Sequence, residues 1–599
     1  MMKKNLLILF FCVFVYEPII GKTYFVAING NNSNNGLSKD NPWKTLTYAA
    51  GNSSPVTAGD TVFIKAGNYG AEFVVFSKNG TALDPIVYQG YQAIPKDMPL
   101  LNYTIGSLLN ASIMPLFDGA NRANNIGFNL IDKSYIVLNN FQITNYKSGL
   151  ITGKGHHLTI NNINTMFTGD SLASYSGFGI QLGASGTASS DNNLISNCLV
   201  VNSSAEGISV FGNNNTVINS KVYCNEGKMG CGNHGATDYY MPINGNDNTI
   251  ENCYVERVGN LEHYGHGIGF KYNCLNNIVT KCKSVNMSEC FYVRHRNVKY
   301  NTFFKCIGIR GNSITVRDGA SNNVYLNCIS DSSYAGIDLY DTSEDGGAQY
   351  AGRNNEFKNC IIKNASHGIH FNNYDQISPV DSNLILNCTF YNIGNLIRSN
   401  RLNYENKMIN CIVSNVKTLS AGTYSVSVNF QNSNFFGNGF ATPMGSNNIS
   451  LNPMYVNAAK GDFRLQKNSP CINTGTNLTT VLADADEIKR PQQAIYDMGA
   501  YEFSPQISTS NEDPDDFNID IKQKIDFLVY PNPVIKVVTV ETPDDKGIIA
   551  IYDLSGKEVY SNYPTSMSTK IDMSDFENGI YFIRQGDNFS FKINKISTK

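Results

Sequence analysis

The chain has 599 residues, 46 Lys and Arg against 49 Asp and Glu, and a formal net charge of -3. That length exceeds what one compact core usually holds, so an extended repeat fold or several domains is expected. The even charge balance excludes a general nucleic-acid binder and makes any basic site a local feature.

Lys3 and Lys4, the apolar run Leu6 to Val15 and the small or polar residues at Gly21 and Lys22 read as a secretory signal over residues 1–21. Bulky Phe10 and Phe11 before Cys12 argue against lipid attachment, and no later apolar run is long enough for a transmembrane segment. Secretion, or display on the outer-membrane surface, is expected.

Residues 22–445 carry a repeat. A short strand such as Gly336-Ile-Asp-Leu-Tyr340 leads into an Asn-rich turn, Asn354-Asn355, and then a second strand with a cysteine, Asn359-Cys360-Ile361. Cys198, Cys224, Cys253, Cys282, Cys306, Cys328, Cys360, Cys388 and Cys411 recur at this period. One cysteine per repeat predicts a buried stack of thiols rather than disulfides, and the absence of a CxxC pair argues against zinc. Period-two alternation, β-branched residues and Asn or Gly turns call for strands, and repetition calls for a solenoid. The fold class is therefore all-β, a right-handed parallel β-helix with two strand types per coil and asparagines stacked at one corner.

The opening segments Asn41-Pro-Trp-Lys-Thr-Leu46 and Gly59-Asp-Thr-Val-Phe-Ile-Lys-Ala-Gly-Asn-Tyr69 resemble the first coils of secreted carbohydrate-active β-helix proteins. Residues 446–503, with Asp462-Phe-Arg-Leu465 and Asp497-Met-Gly-Ala-Tyr-Glu502, resemble segments that close such solenoids in surface-anchored bacterial proteins. Residues 504–525, with Glu512-Asp-Pro-Asp-Asp516, form an acidic linker. In residues 526–599, Tyr530-Pro-Asn-Pro533, Ile551-Tyr-Asp-Leu-Ser-Gly556 and Asn578-Gly-Ile-Tyr-Phe-Ile583 resemble the type IX secretion sorting domain, a small β-sandwich. That resemblance implies the type IX secretion machinery as a partner and a Bacteroidetes-type source.

Aligning strands on their inward Ile or Phe gives two outward columns. One contains Gly269, Tyr292, Thr315, Asp338, His370 and Arg398; the other contains Lys271, Arg294, Arg317 and Tyr340. Tyr240 is placed on this face from the irregular coil before Lys271. Neighbouring coils lie about 4.8 Å apart, so the cations form a row. Either acidic neighbours (Asp318, Asp338, Asp341, Glu344, Asp345) neutralise it as a structural network, or an anionic polysaccharide does.

In the second case Arg294 and Arg317 meet acid groups, Tyr292, Tyr340 and Tyr240 pack on sugar rings, and Asp338, His370 and Arg398 extend the binding face. For a uronate polymer this set supports β-elimination. Arginine neutralises the carboxylate, Lys271 removes the C5 proton, and His295, Tyr340 or Tyr292 protonates the leaving oxygen. Lys271 followed one coil later by Arg294-His295 resembles the arrangement in family 6 polysaccharide lyases, which act on alginate or dermatan sulfate. The resemblance implies Lys271 as base, with Arg294 assisting protonation or neutralisation.

Members that use calcium carry acidic residues just before the lysine, where this chain has Tyr264 and His266. The acidic loop ending in Gly346-Gly347 is another place for calcium, and no metal ligand is assigned. Two further readings stay open: hydrolysis of a sulfated or acidic polysaccharide by paired carboxylates from Asp318, Asp338 and Asp341, and a non-catalytic glycan-binding surface protein.

Overall fold

The computed structural model describes residues 21–504 and 528–595, apart from 98, 100, 102, 121–125, 170–176, 226–236, 260–264, 343–349, 373–377, 531–533, 535, 542–546, 554–556, 565–567 and 586–588. From Thr23 to Phe436 the described chain winds as a parallel β-helix, most of its strands joined into one sheet of 35 strands and four short ones into a second sheet, with each coil hydrogen-bonding the next. A helical turn at Leu46–Ala50 and a 3-10 turn at Ala458–Lys460 interrupt an otherwise all-β chain.

Several coils hold three strands rather than two, while in others the second and third run together, as in Lys283–Arg294. In one coil Val324–Leu326 precedes the cysteine, Ile329–Asp331 follows it, and Ala335–Tyr340 forms the third side. Asn327, with φ of 56°, breaks what the sequence presents as a single run. Asparagine tolerates this left-handed backbone better than the β-branched residues around it.

The expected asparagine stack is present. Side-chain amides of Asn193, Asn215, Asn248, Asn277, Asn301, Asn323, Asn355 and Asn383 donate, each to the amide oxygen of the next, ending on Asn406, at 2.8–3.1 Å. All are buried, so each amide owes its satisfaction to the neighbouring coil. The thiols are free and buried. Cys224, however, is not a rung. Ser220 takes that place, its hydroxyl accepting from Cys198 N–H at 3.1 Å, while Cys224 pairs in register with buried Arg257.

Residues after the last coil run back along the flank. Side-chain amides of Asn327, Asn359, Asn387 and Asn410 donate to carbonyls of Asp484, Ala483, Asp497 and Thr476. Phe463, Ala500 and Tyr501 pack on Ile361 of the solenoid wall. Beyond the linker, a three-stranded and a four-stranded antiparallel sheet share a core that includes Val538, Ile551, Ile571 and Ile583. This is the small β-sandwich expected at the C-terminus.

The strands that position the site are β1 (Glu206–Phe211), β2 (Tyr239–Asn244), β3 (His266–Lys271), β4 (Lys283–Arg294), β5 (Ile307–Arg317), β6 (Ala335–Tyr340), β7 (His367–Phe371) and β8 (Thr389–Ser399). They stack in this order on one side of the solenoid.

Candidate active site

The register places Lys271, Arg294, Arg317 and Tyr340 directly beside one another on β3 to β6. Pro242, Gly269, Tyr292, Thr315, Asp338, His370 and Arg398 form the parallel column. Both columns stand as read from the sequence. A third, three residues before the parallel column, runs Tyr239, His266, Glu289 and Asn312.

Tyr240 does not belong to this face. It is fully buried in the solenoid core, and Tyr239 faces the site in its place. A one-residue slip in a strand exchanges its two faces, and β2 carries Met241 where β3 and β4 carry Ile268 and Phe291 as inward anchors. Tyr292 also differs from expectation, since it is fully buried and its ring lies on Gly269, where a Cβ would meet it at 2.6 Å. It cannot serve as an exposed sugar platform there.

Glu289 is the residue that the sequence reading missed. Its side chain is 2% exposed, with Oε2 2.7 Å from His266 Nδ1 and Oε1 3.2 Å from Arg317 Nη1. The carboxylate lies off the axis of the imidazole N–H, so this is an ion-pair contact rather than a linear hydrogen bond. Burial alone would raise the Glu289 carboxyl; His266, Arg317 and Arg294 overcome that and hold it far below the usual range. Tyr340 donates its hydroxyl to Glu289 and accepts from Arg317 at 3.1 Å. Its proton is thus committed, and burial followed by Glu289 pushes the phenol well up. Arg317 also contacts Asp318 at 2.8 Å, and Asp318 in turn accepts from Thr342. The charge network anticipated as the alternative therefore exists around Arg317, with Glu289 at its centre.

The other two cations meet elsewhere. Arg294 Nη1 and Lys271 Nζ both donate to Tyr239 Oη, at 2.7 and 3.3 Å. The Lys271 ammonium lies 4.9 Å from the Tyr239 and Tyr272 ring centroids alike. Burial raises the Tyr239 phenol, and Arg294 opposes it. His266 stacks on Tyr239 at 4.6 Å and is 20% exposed. His295 turns out of β4 with φ of 83° and stacks on Tyr272 at 4.3 Å.

Farther along, buried Asp338 contacts His370 Nδ1 at 3.2 Å and accepts from Asn312 at 2.8 Å. Burial raises its carboxyl, with His370 opposing. Half-buried Arg398 donates to exposed Tyr334 at 3.0 Å and contacts His367 at 3.1 Å.

Among the described residues no three His, Cys, Asp or Glu side chains converge as a metal set. Asp318 is engaged by Arg317 and Thr342, and Asp341 accepts from Ser378 at 2.8 Å. Glu344, Asp345, Gly346 and Gly347 lie outside the described residues, as do Tyr264 and the signal segment 1–20.

Residues 528–599 match the family of secretion system C-terminal sorting domains. The C-terminal unit is a secretion sorting domain. Such a domain marks a secreted or cell-surface protein, and no helix among the described residues is long and apolar enough to cross a membrane. No curated protein matches the chain. Similar solved structures include pectate lyase Pel9A, at 16% identity over 81% of this chain and 96% of that one with a TM-score of 0.30. The PL6 family alginate lyase AlyGC is 11% identical over 76% of this chain and 57% of that one, with a TM-score of 0.41. The catalytic domain of the GH87 alpha-1,3-glucanase, in complex with nigerose, is 13% identical over 63% and 66%, with a TM-score of 0.38. Lyases and a hydrolase share this likeness, which is one of fold.

Proposed function

We propose that this protein degrades an anionic polysaccharide outside the cell by β-elimination at a uronate residue. The observation that carries the reading is the meeting of Lys271 and Arg294 on Tyr239 Oη, beside the His266–Glu289 pair. Arg294 neutralises the uronate carboxylate and so acidifies the C5 proton, and Lys271 removes that proton as base. The C5–H electron pair becomes the C4=C5 double bond while the C4–O bond breaks.

The leaving oxygen takes its proton from His266. Its Nδ1 lies 2.7 Å from the Glu289 carboxylate, which leaves Nε2 for the substrate. Tyr340, considered for this role from sequence, gives its proton to Glu289, and Tyr292 is buried against Gly269. Arg317 acts through Glu289 as a positioning residue.

One observation favours hydrolysis as a second reading: Glu289 is held low and Asp338 high, the divergence expected of a catalytic carboxylate pair. Both side chains are almost fully buried, as Arg294 is, whereas Lys271 and His266 are only half-buried. Incubation with alginate, pectin, glycosaminoglycans and carrageenan separates the readings. Unsaturated products support elimination, reducing ends without unsaturation support hydrolysis, and binding without either product supports a glycan-binding protein.

A further inference from the structure

Immediately before Lys271 the character of the face changes. An open groove enclosing about 1180 Å³, continuous with solvent, is lined by Ser185, Thr187, Phe211, Asn213, Asn246 and Tyr272 among others, and no charged side chain lines its described walls. It adjoins the cationic column through Asn244, which pairs with Phe211 on one side and neighbours Lys271 on the other. Tyr272 stands at the boundary, 45% exposed, with one ring face on His295 and the Lys271 ammonium 4.9 Å from its centroid.

An uncharged ligand fits this groove and an anionic one does not. The nearest acid behind the wall, Asp191, accepts from Asn213 N at 2.6 Å and from Ser189 Oγ at 2.7 Å. A sugar carboxylate placed here would exchange water for amides and hydroxyls, gain no cation and lie near Asp191, which is unfavourable. The hydroxyls of Ser185 and Thr187 and the amides of Asn213 and Asn246 offer uncharged donors and acceptors to sugar hydroxyls. Phe211 and Tyr272 supply apolar ring faces, and amides supply the remaining polar contacts, the usual make-up of a sugar site.

We propose that this groove is a subsite for uncharged sugar, directly next to the uronate held by Lys271 and Arg294. The substrate is then a heteropolysaccharide in which uronate is flanked by neutral sugar, not a homopolymer of uronate. This rests on the elimination reading for the position of the uronate.

The test measures binding separately from cleavage. The full chain carrying Lys271→Ala is titrated calorimetrically with two size-matched oligosaccharides, unsulfated chondroitin, in which uronate alternates with uncharged sugar, and oligogalacturonate. The alternating oligosaccharide is expected to bind at least about tenfold more tightly, roughly 1.4 kcal/mol. Adding Tyr272→Asn, which removes the ring and suits the φ of 59°, should abolish the preference, and Thr187→Arg at the rim should strengthen oligogalacturonate binding. Equal binding of both ligands, no binding of either, or a preference untouched by Tyr272→Asn overturns the subsite. A wild-type protein that shows the preference yet forms no unsaturated product overturns the elimination reading and leaves the neutral subsite standing.

Discussion

At the scale of single residues, the central contrast is between Tyr239 and Tyr240. Tyr239 holds Lys271 and Arg294 together, whereas Tyr240 is a core residue. Tyr239→Phe should lower kcat by about 10- to 100-fold with the melting temperature nearly unchanged. Tyr240→Phe should leave kcat within about twofold. Equal effects would place the wrong tyrosine at the site. Lys271→Ala should abolish product formation. His266→Gly should lose at least about 100-fold and recover in part with added imidazole, a response that a purely structural histidine would not give. Removing one partner from the buried Glu289 cluster, as in Glu289→Ala, should cost about 3–5 kcal/mol in urea melts because Arg317 and His266 lose their counter-charge.

Much of this site was visible in the sequence, for identifiable reasons. Lys271, Arg294 and Arg317 follow regular strands whose inward Ile, Phe or Val residues fix the face, so period-two counting suffices. Glu289 and His266 lie on those same strands, but nothing in the spacing says that Glu289 reaches across to Arg317 and Tyr340 on the next coils. Burial was equally invisible. Tyr292 occupies an outward position and is nevertheless fully enclosed, because Gly269 lets its ring lie flat on the sheet.

The elements owe their stability to repetition. Each ladder asparagine satisfies its neighbour, so Asn323→Ala strips a buried partner from both adjoining coils and should destabilise by about 1–3 kcal/mol in denaturant melts. Asparagines recurring at one period made this ladder legible, while the third strand was hidden because a left-handed residue before each ladder cysteine, Asn or Lys, splits one apparent run into two. The thiols are inert by burial, which pushes Cys198 up to about 12 and Cys290 up to about 11. Alkylating reagents should label the rungs only in denaturant.

The flanking segment behaves differently with pH. Asp484 and Asp497 are each raised to about 6 by burial beside the Arg490–Glu502 pair, so the folded segment holds protons that the unfolded chain releases above its ordinary carboxylate range. Stability contributed here falls as pH rises from about 4 through about 6, by an amount on the order of 1–3 kcal/mol. Hydrogen exchange of residues 484–502, corrected for intrinsic rates, should show greater protection at pH 5 than at pH 7.5.

For the whole molecule, division of labour follows from position in the chain. The solenoid builds the site, and the sorting domain at 528–599 directs export. A chain ending at residue 504 should keep the melting temperature and specific activity of the full chain in vitro and fail to reach the cell surface. Loss of activity on truncation would tie the sorting domain to the site. The account as a whole stands on the chemistry at Lys271, and the most direct measurement follows ultraviolet absorbance of the C4=C5 double bond and reducing ends in one digest of a uronate-containing heteropolysaccharide. Elimination predicts that the two rise in step, one double bond per new end, and that Lys271→Ala abolishes both. Reducing ends that accumulate without absorbance would contradict it.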